Sequence, residues 1–143
     1  MDENKAPTVE AEGQNIDVNN YVPSGVPWQV SELIKRTKVV TLTDGATVDI
    51  NASDGGIFAL VATGSRTINV PTGAKDGWRL IIKHTASGGA RTLSLTTGSA
   101  GAFRFGTTIT ALTATTSGTS DYIGCIYNLT DDRWDVCGYV KGF

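Results

Sequence analysis

The chain predicts an all-β fold: an antiparallel β-sandwich or jelly-roll-like domain over residues 38–143, carried on an N-terminal extended arm, residues 1–37, with one short helix. Three observations lead there. From Lys38 onward, short runs of β-branched and aromatic residues alternate with period two; clusters of Gly, Asp and Ser separate them at regular spacing; and helical periodicity is confined to one stretch before Lys38. With 143 residues, 40% of them hydrophobic, the chain can fill one core but not two. One domain with an appendage is therefore expected.

Residues 1–20 show neither the helical nor the strand period and are rich in Asn, Glu and Asp, so no structure of their own is expected for them. Tyr21, Val22, Pro23, Val26, Pro27 and Trp28 then bring rigid and apolar groups into this polar arm. Pro27 suits a first helical turn, where a missing N–H costs nothing, and the predicted helix runs over about 27–37 with Trp28, Val30, Leu33 and Ile34 on one broad face. About three turns are too few for stability in water alone. This face must dock, and Tyr21, Pro23, Trp28, Leu33 and Ile34 are the expected anchors, because aromatic and aliphatic groups dominate interface energies.

Strands follow at 38–43, 47–51, 57–62, 66–70, 78–84, 91–96, 107–112, 122–128 and 133–140, with turns at Asp44-Gly45, Ser53-Asp54-Gly55-Gly56, Thr63-Gly64, Asp76-Gly77, Ser87-Gly88-Gly89 and Thr130-Asp131-Asp132. The connections look too short for parallel crossovers, which points to antiparallel pairing. Residues 100–106 and 114–120 read as loops.

Several function classes lose their signposts. A net charge of −2 without a basic cluster speaks against nucleic acid as a partner. No segment approaches the roughly 20 apolar residues that span a bilayer, and the N-terminus lacks the basic start and apolar run of a secretory signal, so no membrane partner and synthesis as a soluble cytosolic protein are expected. Neither a GxSxG elbow, a P-loop nor a GxGxxG is present. His84 stands alone at the end of an apolar strand and reads as structural; with Cys125 and Cys137 it lacks the paired spacing of a zinc motif. The two cysteines flank a predicted hairpin and are expected as reduced, buried thiols, a cross-strand disulfide being the other arrangement their spacing allows. Asp131, Asp132 and Asp135 do not match a calcium loop and read as turn formers, with a pair of catalytic carboxylates as the competing reading. Trp78, Trp134, Tyr122, Tyr127 and Tyr139 suit core or subunit interface better than a sugar platform. No catalytic residues, cofactor or metal ligands are assigned.

An ordered series of segments carries a resemblance: 65–72 (SRTINVPT), Asp76-Gly77-Trp78, 90–95 (ARTLSL), Phe103-Arg104-Phe105, 121–128 (DYIGCIYN), Trp134-Asp135-Val136 and the ending Gly142-Phe143. Spanning roughly 40–143, it resembles a β-rich module of tailed-bacteriophage virion proteins, among them head decoration (cement) proteins, head fibres and fibre ends. The resemblance implies a β-sandwich or jelly-roll-like protomer without catalytic role, displayed on the virion as a homo-oligomer, a trimer before a dimer. Residues 1–37 lie outside the resemblance; the expected partner is the major capsid protein, and the arm is expected to clamp it through the anchors named above. A head-fibre or tail-fibre protein recognising host surface glycan is the alternative. After Phe105 the chain departs from the pattern, with Gly106-Thr107-Thr108 in place of a longer Pro/Gly turn.

Overall fold

The computed structural model describes residues 35–143, which form one unit. Tyr21, Pro23, Trp28, Leu33 and Ile34 lie outside the described residues, as does most of the helix expected at 27–37; Lys35 and Arg36 are helical and Thr37 turns out of that conformation. Nine strands follow: β1 (Val39–Thr41), β2 (Thr47–Val48), β3 (Ile57–Ala62), β4 (Arg66–Ile68), β5 (Arg79–Ala86), β6 (Leu93–Leu95), β7 (Phe103–Arg104), β8 (Ser120–Asn128) and β9 (Arg133–Val140).

The all-β class holds, but uniform antiparallel pairing does not. One sheet has the order β1-β3-β5-β8-β9-β7 and the other β2-β4-β6. Strands β1, β3 and β5 pair in parallel, as do β2, β4 and β6 and the pair β7 and β9, whereas β5–β8 and β8–β9 are antiparallel. The first six strands thus alternate between the sheets, and the chain winds through three successive coils. A parallel crossover needs a dozen or more residues. Between β1 and its partner β3 lie residues 42–56, and the strand of the opposite sheet is part of that connection. The gaps between consecutive strands are short because consecutive strands are not partners.

Further strand assignments change: the strands placed at 38–43, 47–51, 66–70 and 91–96 are shorter, and the one placed at 122–128 begins at Ser120, within the expected loop 114–120. Residues 107–112 form no strand, although Ile109 and Leu112 still pack against the core. Residues 103–104, read as loop, form β7 beside β9. The strand placed at 78–84 extends to Ala86.

Alternation explains the packing. Phe58, Leu60 and Ala62 of β3, Leu80 and Ile82 of β5, Ile123, Cys125 and Tyr127 of β8 and Trp134 and Val136 of β9 point to one side and are buried. They meet Val48, Ile68 and Leu95, which are stacked in register on β2, β4 and β6, in a single core. Each large side chain buried there contributes roughly 1.5–3 kcal/mol. Polar ladders join the first two coils outside the core: the Asp44 carboxylate takes a two-pronged bond from Arg66 (2.5 and 2.9 Å) and another from the Thr63 hydroxyl (2.7 Å), and Asn69 donates to Asp49 at 2.8 Å. The Arg66 guanidinium holds the Asp44 carboxyl well below the usual carboxylate range.

The chain enters β1 across Gly55-Gly56. A Cβ at Gly56 would overlap the Arg36 carbonyl oxygen, and one at Gly55 would come within 2.7 Å of the Lys38 carbonyl oxygen. Gly56→Ala is expected to cost about 1–3 kcal/mol through forced backbone displacement. Gly106→Ala, where added volume meets nothing within 4 Å, should leave the denaturant midpoint nearly unchanged.

Candidate functional site

The groups with chemical potential fall into two clusters inside the fold and one surface outside it. In the first cluster His84 on β5 is buried, and its Nδ1 lies 2.8 Å from the Thr115 hydroxyl. That hydroxyl donates to Asp121 Oδ2 at 2.7 Å, so its oxygen accepts from His84 and the imidazole proton sits on Nδ1. Asp121 also accepts from Lys141 Nζ (2.7 Å) and from the Gly142 N–H (3.0 Å). Lys141 in turn donates to the Ala114 carbonyl and the Tyr139 hydroxyl, both at 3.0 Å.

Burial holds the His84 pKa below its ordinary value. Burial would raise the Asp121 carboxyl, but the bonds from Lys141, Thr115 and the Gly142 N–H outweigh it and leave its pKa lowered. The residue types are those of a hydrolytic triad, yet the order is wrong. Threonine stands between histidine and carboxylate instead of at the end that attacks, and both Thr115 and His84 are sealed from solvent at 1% exposure. What the chain does is fasten residues 113–115 and 141–142 to the body. Sequence reading found His84 as structural and missed Thr115 and Lys141, which lie 31 and 57 positions away and carry no local pattern.

The second cluster is the acidic hairpin between β8 and β9. Asp132 makes the turn at φ 52°, and Asp131 caps it by taking its N–H to the Asn128 side chain. Arg104 of β7 forks onto Asp135 (2.7 and 3.0 Å) and reaches Asp131 at 2.9 Å, while the Tyr127 hydroxyl donates to Asp132. Hydrogen bonding to Arg104 lowers the Asp135 carboxyl, the reverse of what a general acid requires. These carboxylates lock β7 to the hairpin, which adds a role to the turn-forming one expected. Arg91 similarly clips its own loop through the Ser87 and Gly88 carbonyls.

Cys125 and Cys137 are both free. Cys125 is buried opposite Val136, and burial pushes its thiol pKa up. Cys137, expected to be buried, is exposed: the ladder shifts register between Gly124 and Cys125, so Cys137 bulges with no residue opposite it in the ladder and faces outward, its thiol donating to the Gly124 carbonyl at 3.5 Å. Of the aromatic residues, Trp134 and Tyr127 are core, and Trp78 is flanked by the Arg36 guanidinium at 4.3 Å and the Lys75 ammonium at 5.3 Å. Among the described residues no three His, Cys, Asp or Glu side chains gather as metal ligands, and no helix is long and apolar enough to cross a membrane.

What remains is the outer face of the six-stranded sheet. In register, one outward row runs Val39, Ile57, Ile81, Gly124, Gly138 and the next Thr41, Ala59, Lys83, Tyr122, Val140. Val39 is 56% exposed, Val140 54%, Val61 56% and Ile126 41%. Phe143 extends the patch by setting its ring edge against Tyr122, 5.5 Å between centroids. A sheet face turned to water is ordinarily polar. The signal was present in the sequence, since Ile57-Phe58-Ala59-Leu60-Val61-Ala62 is apolar at both parities, as a strand covered on both faces would be.

No protein-family model, curated protein or solved structure matches the chain.

Proposed function

We propose that this chain is a bacteriophage capsid decoration (cement) protein, in which an oligomeric β body sits on the outside of the head and the N-terminal arm, residues 1–37, straps it to the major capsid protein, chiefly through about 17–37. The supporting observation is the exposed apolar face of the six-stranded sheet, in a body whose histidine and hairpin carboxylates are engaged in holding loops. Such a body works by contact, and contacts repeated over a symmetric shell add up even when each is shallow. We class the body as a β-sandwich in the broad sense, two sheets over one core, wound in coils. Tyr21, Pro23, Trp28, Leu33 and Ile34 supply the grip on the shell.

Removing residues 1–34 tests the strap. The shortened protein is expected to keep the wild-type circular dichroism spectrum while losing saturable binding to undecorated heads in a co-sedimentation assay. Binding at the wild-type level would remove the strap from the account. Copy number separates this reading from a glycan-recognising fibre: hundreds per particle accord with decoration, a dozen or fewer with a fibre.

A further inference from the structure

Two glycines lie opposite one another at the β9 end of the apolar outward row. Gly124 of β8 pairs with Gly138 of β9, and neither has a left-handed φ. A Cβ on Gly138 would meet nothing within 4 Å, and one on Gly124 would reach only the backbone of Gly138, at 4.0 Å. The protomer itself therefore gives no steric or torsional reason for glycine at either position. Glycine within a strand costs roughly 0.5–1 kcal/mol in chain entropy and forgoes a side chain that could pack. Glycine inside a strand marks either a bulge, such as the one at the neighbouring Cys137, or a place that another backbone or side chain approaches closely, and the open space over both glycines leaves room for such an approach.

The surroundings fit such an approach. Val39, Ile57 and Ile81 continue the glycine row, while Tyr122, Val140 and Ile126 flank it. Six strands of unequal length, 36 residues in all, make up this face, each residue covering about 3.3 Å along the strand and about 4.8 Å across it. That is on the order of 600 Å², most of the roughly 800 Å² each partner contributes to a stable interface. Foreign partners are commonly selected by complementary charge. In the two rows only Lys83 is charged, and the row of Ile126 beside them adds Arg79 and the mutually bonded Arg104 and Asp135, so charge is sparse on this face while its apolar rows match another copy of themselves.

We propose that the outer face of the six-stranded sheet, with Gly124 and Gly138 at its β8–β9 side, is the surface on which a second copy of this chain packs. The proposal rests on the oligomeric part of the function given above and assigns it a place. The test is sedimentation velocity of the full chain without phage, for the wild type, for Gly138→Arg and for Thr67→Arg, which lies on the outward side of the three-stranded sheet. The wild type and Thr67→Arg are expected to sediment as oligomers, and Gly138→Arg to weaken association about tenfold or more with an unchanged circular dichroism spectrum. Cys137, next to Gly138, provides a readout that does not depend on the variant folding. In the wild-type oligomer its thiol is expected to react with maleimide more slowly than in dilute, dissociated protein.

A monomeric wild type overturns the proposal. So does an oligomer that survives Gly138→Arg with Cys137 freely reactive, because its contacts then lie elsewhere, residues 1–34 included. A chain that is monomeric alone yet saturates heads, and loses that binding on Gly138→Arg, places the capsid protein on this face; the proposal falls and decoration stands. An oligomer dissolved by Gly138→Arg that never binds heads has the opposite meaning.

Discussion

Trp134→Ala is expected to destabilise the protein by about 3–5 kcal/mol, which for a body of this size lowers the thermal midpoint by roughly 15–30 °C. The side chain is fully buried, its ring tilts against Tyr127 at 5.1 Å between centroids, and it stands in register with Phe103. It lies where β7, β8 and β9 converge, so its loss opens a cavity at the junction that holds the hairpin to the coils. Trp134→Phe separates two contributions. The indole N–H is buried without a hydrogen-bond partner among the described residues, so phenylalanine removes volume but also relieves a desolvated donor worth about 1–3 kcal/mol. The phenylalanine variant should melt far closer to wild type than the alanine variant. An alanine variant that melts within a few degrees of wild type would contradict this description of the core.

Asp121→Ala is expected to cost about 2–3 kcal/mol and to change how stability depends on pH. It strands the Thr115 hydroxyl, the Gly142 N–H and the Lys141 ammonium; the cost stays below that of breaking a fully buried pair because the Lys141 side chain is 40% exposed and can take up water. The pH dependence follows from the two shifts. A histidine whose pKa is lowered on folding contributes stability above its unfolded value of about 6.5, and this is lost as pH falls below that value. A carboxylate whose pKa is lowered contributes stability above its unfolded value of about 3.9, and this is lost on further acidification. The wild-type thermal midpoint should therefore begin to fall near pH 6.5 and fall again below pH 4. His84→Asn keeps a donor toward Thr115 without a titrating ring, and should flatten the first decline while sparing the second. A profile identical to wild type in that variant would show that His84 does not titrate in this window.

The fold was legible where one residue determines its neighbours and illegible where pairing partners are distant. The strand at 133–140 follows from period-two alternation and the one at 57–62 from a continuous apolar run bounded by turn residues, and they match β9 and β3 residue for residue. The turns at Asp76-Gly77 and Asp131-Asp132 follow from Gly77 and Asp132, both at positive φ. Partner choice is different. Thr47-Val48-Asp49-Ile50, Thr67-Ile68-Asn69-Val70 and Thr92-Leu93-Ser94-Leu95 share one pattern of threonine, apolar, polar, apolar, which is the trace of the coils. That trace is faint because the third coil carries a longer turn: Thr67 pairs with Ser94 instead of Thr92, a two-residue slip that keeps every side chain on its own face. Residues 107–112 misled because Ile109 and Leu112 are apolar for the sake of the core without any ladder to join. At the candidate surface, apolar content at both parities of β3 was readable, whereas the meeting of Gly124 and Gly138 depends on β8–β9 register, which a bulge at Cys137 resets.

The most direct test of an adhesive role is a cryo-electron microscopy reconstruction of the intact particle. Symmetric clusters of this protein on the outer surface of the head, with β bodies touching through the six-stranded sheet and leading segments laid along the capsid protein, are the expected result. A head surface bare of the protein, or copies found only at the tail, would contradict the account.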